Sequence, residues 1–89
     1  MSSNLSAVAT ALSTITNKDS MEKFLSEILT DSELDALSLR WELMKQLKDG
    51  NTQRAIASDL HISLCKVTRG NKIIKDKNSI TNKIMDMES

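Results

Sequence analysis

Apolar and polar positions along this chain alternate at helical spacing almost from end to end, with short polar interruptions between the stripes. Leu5, Val8, Ala9, Leu12 and Ile15 stand at i, i+3, i+4, i+7 and i+10, which predicts an amphipathic helix over 3–16 with Ser and Thr on its other face. Asn17-Lys-Asp-Ser20 breaks that pattern, and Asp19 or Ser20 is expected to cap a second helix carrying Met21, Phe24, Leu25, Ile28 and Leu29, ending near Thr30. Thr30-Asp-Ser-Glu33 has the spacing of a capping box, in which one hydroxyl and one carboxylate satisfy two orphan amides. A third helix follows through Leu34, Leu37, Trp41, Met44 and Leu47, with Leu39 and Leu43 widening its apolar arc, and Gly50 is its natural stop.

The next segment, Thr52 to Gly70, packs two short helical patterns around a tight turn. Thr52 is placed to cap the first, whose Ile56, Ala57 and Leu60 share a face. His61 falls in the turn, a place that needs positive φ and that His tolerates better than most residues. Ser63 caps the second helix. Leu64, Val67 and Cys65 are expected to lean back onto the first helix, leaving Ser63, Lys66, Thr68, Arg69 and Lys72 outward as donors and cations suited to phosphates and base edges. The pattern is that of a DNA-binding helix-turn-helix. A polar hinge from Lys75 to Asn78 then precedes a last helix, capped by Asn78 or Ser79, with Ile80, Ile84 and Met87 as its stripe.

No segment combines β-branched alternation with turn residues, and the chain has no proline and two glycines, so an all-α fold of six helices is expected. The 1–89 chain reads as one domain, with helices for dimerisation in 1–49, the helix-turn-helix in 50–75 and a C-terminal helix in 78–89. A chain of 89 residues whose only aromatics are Phe24 and Trp41 buries a modest core by itself, and pairing into a homodimer is the expected remedy.

Charge adds to this picture through its distribution. The net charge is zero, yet residues 1–49 carry five Lys/Arg against eight Asp/Glu, minus three, and residues 50–77 carry six against two, plus four. The cationic block coincides with the helix-turn-helix, as expected of a DNA reader on an acidic body. A single cysteine and a single histidine fall short of a structural zinc set and cannot staple the fold, which fits a reducing cytoplasm. The N-terminal apolar stripe is interrupted by Ser, Thr and Asn and lacks a cationic leader, so neither a signal peptide nor a membrane span is expected. Catalysis is not expected either. His61 sits in a turn, Cys65 has no histidine partner on a neighbouring element, and the carboxylates scatter over solvent faces without forming an acid–base pair.

Two positions ask for more than a helix-turn-helix. Arg40 lies between Leu39 and Trp41 within the apolar arc of the third helix, where a shielded guanidinium needs an anionic acceptor, from a ligand or from an internal ion pair. Gly70 follows Arg69 in mid-helix, where glycine costs about 1 kcal/mol against alanine, so something comes close to the backbone there: a ligand, or another helix.

From Leu29 to Lys75 the chain resembles the bacterial tryptophan repressor family, through Leu-Thr-Asp-Ser-Glu-Leu-Asp-Ala-Leu, Arg40, Gly50-Asn-Thr-Gln-Arg54 and Val67-Thr-Arg-Gly70. The resemblance implies an intertwined all-helical homodimer with L-tryptophan as corepressor and operator DNA as partner. Arg40 and Arg69 would flank the indole, with Arg69 pairing bidentately with the carboxylate. Thr30 would stand at the pocket edge, Gly70 would leave room for the ring, and helix-end carbonyls near Glu27 and Leu29 of the other subunit would take the amine. Arg54 would reach a guanine edge, with Leu64, Cys65, Lys66 and Thr68 near bases or bound water, and Lys72 and Lys75 on phosphates. The tryptophan repressor is itself a standard example of this docking and of water-mediated readout, so these features come with the resemblance. Where tryptophan-binding members carry a serine near the ligand's amine, this chain has Ile73. A related regulator with another ligand or none, and a protein-interaction module, are the alternative readings.

Overall fold

The structure, a computed structural model, describes residues 2–88. It is all-helical there: α1 (Ser2–Thr14), α2 (Lys18–Ile28), α3 (Asp31–Lys48), α4 (Gln53–Leu60), α5 (Leu64–Lys75) and α6 (Ile80–Glu88), with no strand among the described residues. The chain divides into two compact units, Met1–Asp35 and Ala36–Ser89.

In the first unit, α1 ends at Thr14, and Ile15 lies beyond it with its N–H on the Leu12 carbonyl at 3.2 Å. Hydroxyls on α1 turn back to its own carbonyls, Thr10 to Ser6 at 3.0 Å, Ser13 to Ala9 at 2.8 Å and Thr14 to Ala11 at 2.7 Å. These bonds satisfy the polar face internally. The β-branched Thr14-Ile15-Thr16 run then disfavours a further turn. The cap of α2 is Asn17 rather than Asp19 or Ser20: its extended backbone aims Oδ1 at the Ser20 N–H, 2.8 Å away. Capping from Asn17 brings Asp19 into the first turn, where its charge favours the helix dipole. The helix closes at Ile28 with Leu29 extended, which frees Thr30 to start α3. There the capping box forms as expected, with the Thr30 N–H on Glu33 Oε1 at 2.8 Å and the Glu33 N–H on Thr30 Oγ1 at 3.2 Å.

The second unit holds a small apolar core. Leu43 of α3, Ile56 of α4 and Val67 of α5 are buried together, flanked by Met44, Leu47, Ala57, Leu60 and Ile62. Ile56 and Val67 are fully enclosed, worth about 1.5–3 kcal/mol each relative to exposure. The exit from α3 is a Schellman turn. Gly50 has φ +93°, its N–H reaches the Leu47 carbonyl at 3.0 Å, and the Asn51 N–H reaches Gln46 at 3.1 Å. Gln46 also spans α3 and α4, donating to Glu42 at 3.1 Å and Asp59 at 3.2 Å.

The last helix differs from expectation. Ser79 is its cap, accepting the Asn82 N–H at 3.1 Å, but the side chain it buries is Met85, while Ile80, Ile84 and Met87 stay exposed, Met87 at 84%. Polar bonds made by Asn82 fix which face of α6 turns inward, and periodicity alone carries no information about them.

Candidate nucleic-acid interface

The pair α4–α5 is held by caps and one turn. Thr52, extended at φ −71° and ψ 153°, accepts the Ala55 N–H, and Ser63, at φ −69° and ψ 148°, accepts the Lys66 N–H. Between them His61 takes the left-handed conformation at φ 55°, ψ 46°, with its N–H on Ala57. No glycine is needed because His tolerates this region, as the sequence pattern required.

With Ile56 and Val67 seated between the helices, the opposite side of α5 is solvent-facing. Leu64, Cys65, Lys66, Thr68, Arg69, Lys72 and Lys75 are all exposed there, and Arg54 is exposed on α4. Leu64, Cys65, Thr68, Arg69 and Lys72 line one shallow depression. The expectation that Leu64 and Cys65 lean onto α4 is therefore corrected: Val67 alone fills that role, because its position faces Ile56 and Leu43. Leu64 is left 44% exposed.

One residue was missed by sequence reasoning. Gln53, the first residue of α4, accepts a hydrogen bond from the Thr68 hydroxyl through Oε1 at 2.9 Å, and Thr68 also lies 3.0 Å from the Leu64 carbonyl. The bond ties the start of α4 to the exposed face of α5. Its signal in the sequence was faint: a glutamine after a cap residue is common on any helix.

Arg69 and Gly70 face different ways. Arg69 belongs to the exposed depression, whereas Gly70 is buried against α3, where an added Cβ would lie 3.1 Å from Leu43 Cδ1 and 3.4 Å from Leu47 Cδ1. The close approach inferred at Gly70 is thus made by helix packing. Arg40 is also corrected, since it is exposed on α3 rather than shielded; the buried part of that arc is confined to Leu43. Thr30, Glu27 and Leu29 belong to the first unit, with Thr30 already engaged in the α3 cap. Ile73 is half-buried, and its carbonyl accepts the Asp76 N–H at 3.2 Å.

Comparison with known proteins decides the family. The profile described as Trp repressor protein matches residues 3–89. The chain belongs to the Trp repressor family. Relatives include a Trp operon repressor homolog of Haemophilus influenzae, 42% identical over 55 residues, covering 61% of this chain and 54% of that protein. A homolog of the same name from Actinobacillus succinogenes is 40% identical over 55 residues, again 61% of this chain and 54% of the relative. One from Xylella fastidiosa is 39% identical over 61 residues, 67% of this chain and 66% of the relative. The chain thus spans between about half and two thirds of the curated relatives it matches. No solved structure gives a significant match. The family model that matches is that of a repressor protein, and these relatives each carry the name Trp operon repressor homolog. No described helix is long and apolar enough to cross a membrane.

Proposed function

We propose that this Trp repressor family member is a homodimeric repressor that reads operator DNA with α5 as recognition helix and answers to L-tryptophan. The observation that carries the reading is the exposed face of α5, where Lys66, Arg69, Lys72 and Lys75 surround Leu64, Cys65 and Thr68. Cations there release counterions from phosphates, while the smaller side chains approach base edges or bound water. Arg54 contributes from α4, and Ser63 holds the start of α5 toward the backbone of the duplex. Two such helices in a twofold dimer span half-sites about 34 Å apart.

Support for the dimer comes from apolar side chains that one chain leaves in solvent: Leu5, Ile28, Leu37, Trp41, Ile80, Ile84 and Met87. A second copy is the partner that fits them. For the corepressor, the exposed guanidiniums of Arg40 and Arg69 are available to a carboxylate, with Gly70, Thr30, Glu27 and Leu29 assigned to the pocket by family resemblance. Ligand and DNA affinity are then coupled reciprocally.

Fluorescence anisotropy on a duplex selected by the protein from a random library tests the reading. Affinity is expected to fall steeply between 50 and 200 mM salt, by roughly a thousandfold for about six phosphate contacts, and to rise on adding L-tryptophan. Salt-insensitive or absent binding overturns the DNA reading. Binding that ignores tryptophan leaves a DNA regulator with another ligand or none, the second reading. Two observations favour that alternative: α3 packing already accounts for Gly70, and Ile73 offers no side-chain hydrogen bond to an amine.

A further inference from the structure

The C-terminal end of α5 is fastened by one side chain of α6. A helix ends with carbonyls that have no partner within it. Here the Ile73 carbonyl takes the Asp76 N–H at 3.2 Å and the Asp76 carbonyl takes the Ser79 N–H at 3.1 Å. The Ile74 carbonyl is bonded by Asn82, whose Nδ2 donates to it at 2.7 Å and also lies 3.5 Å from the Asp76 carbonyl. The same carboxamide faces α3 with its oxygen, which accepts from Lys48 Nζ. Lys48 in turn pairs with Asp86 one helical turn further along α6, at 2.8 Å. The Asn82 backbone N–H is itself held by Ser79 Oγ.

We propose that Asn82 is a positioning residue for DNA recognition: it locks the end of α5 to α3 and α6 and so fixes the angle at which the recognition face is presented. The proposal rests on the DNA-reading function given above. Three properties single out this side chain. Its carboxamide donates to α5 through Nδ2 and accepts from α3 through Oδ1, so one side chain joins two elements from a third. Its bond to the Ile74 carbonyl is partly buried and so partly shielded from competing water. And the carbonyl it satisfies lies in the last turn of the helix whose exposed face carries Arg69, Lys72 and Lys75. Without the lock, α5 keeps its seat through Val67 and Gly70 but can pivot as a rigid rod about them, so the angle of its whole exposed face, from Leu64 to Lys75, is no longer fixed.

Asn82→Asp tests this at nearly constant volume. The carboxylate keeps an acceptor for Lys48 but loses the donor to Ile74 and places negative charge at a helix C-terminus, where the dipole disfavours it. The measured quantity is the ratio of affinities for a library-selected duplex and for a mixed-sequence duplex. Contacts to phosphate survive a small tilt and base contacts do not. The ratio is therefore expected to fall roughly tenfold, the scale of one lost base contact, with mixed-sequence binding unchanged. Lys48→Met, which releases α3 from Asn82 but spares the bond to Ile74, is expected to move the ratio in the same direction and by less. Amide exchange in the last turn of α5 should quicken in both variants. A merely structural role would lower the melting temperature and leave the ratio of the folded protein where it was. If the wild type enriches a duplex and both folded variants discriminate as it does, the proposal falls. A wild type that enriches no duplex overturns the DNA reading beneath it.

Discussion

The two units of this chain solve the burial problem differently. From α3 onward, Leu43, Ile56 and Val67 meet in a closed core, with Met85 buried on α6. Through residues 4–35 no side chain reaches full burial: Leu12, Ile15, Met21, Phe24 and Leu25 are half-covered, and Leu5 is 70% exposed. The apolar stripe is as regular in the first unit as in the second. Periodicity therefore states which face is to be buried, and the presence of a third surface decides whether it is. Within unit two, α3, α4 and α5 supply one another with that surface. Among the described residues of unit one no side chain is so enclosed, and the second copy proposed above would supply such a surface.

Breaking the core is the harshest test of this contrast. Ile56→Ala leaves a cavity beside Val67 and Leu43, and the loss of stability is expected at about 2–5 kcal/mol by thermal or urea unfolding. In the first unit, Leu12→Ser should act through assembly instead. Its melting temperature is expected to fall most at low protein concentration, whereas the shift for Ile56→Ala holds across concentrations. A concentration-independent effect at Leu12 would remove the distinction between the two units.

Smaller effects sharpen the contrast within the second unit. Gly70→Ile forces a branched side chain against Leu43 and Leu47 and is expected to cost about 1–3 kcal/mol. In Gly70→Ala, helix propensity offsets the 3.1 Å approach to Leu43, so the change in stability should stay within about 1 kcal/mol. If alanine there abolishes a tryptophan response while stability holds, a ligand approaches Gly70 as well as α3. In the turn, His61→Val places a β-branched residue at φ 55° and should cost about 1–2 kcal/mol, with His61→Gly tolerated.

Local chemistry was legible in the chain before any coordinates. The Thr30–Glu33 box, the Thr52 and Ser63 caps, the Gly50 exit and the left-handed His61 each depend on residues within five positions, and each appears as expected. Asn17 shows the limit of that legibility. Three neighbouring residues had cap chemistry, and the sequence does not say which one turns extended. Facing was harder, since it depends on distant partners. Arg40 sits in an apolar arc whose buried part is confined to Leu43, and α6 turns its Asn82 and Met85 side inward because Ile74 and Lys48 bind Asn82. For the candidate site, the composition of the α5 face was readable. That Arg69 and Gly70 point apart was not, because α3 claims the glycine.

The turn at Gly50 has a consequence for how this chain can vary over evolutionary time. An added Cβ there meets nothing within 4 Å, so the constraint is handedness alone. Asparagine, which enters the left-handed region readily, is an open path for drift at position 50. At position 70 the constraint is space, and drift is confined to the smallest side chains. The same amino acid therefore marks two kinds of selective bottleneck in one domain, one angular and one volumetric.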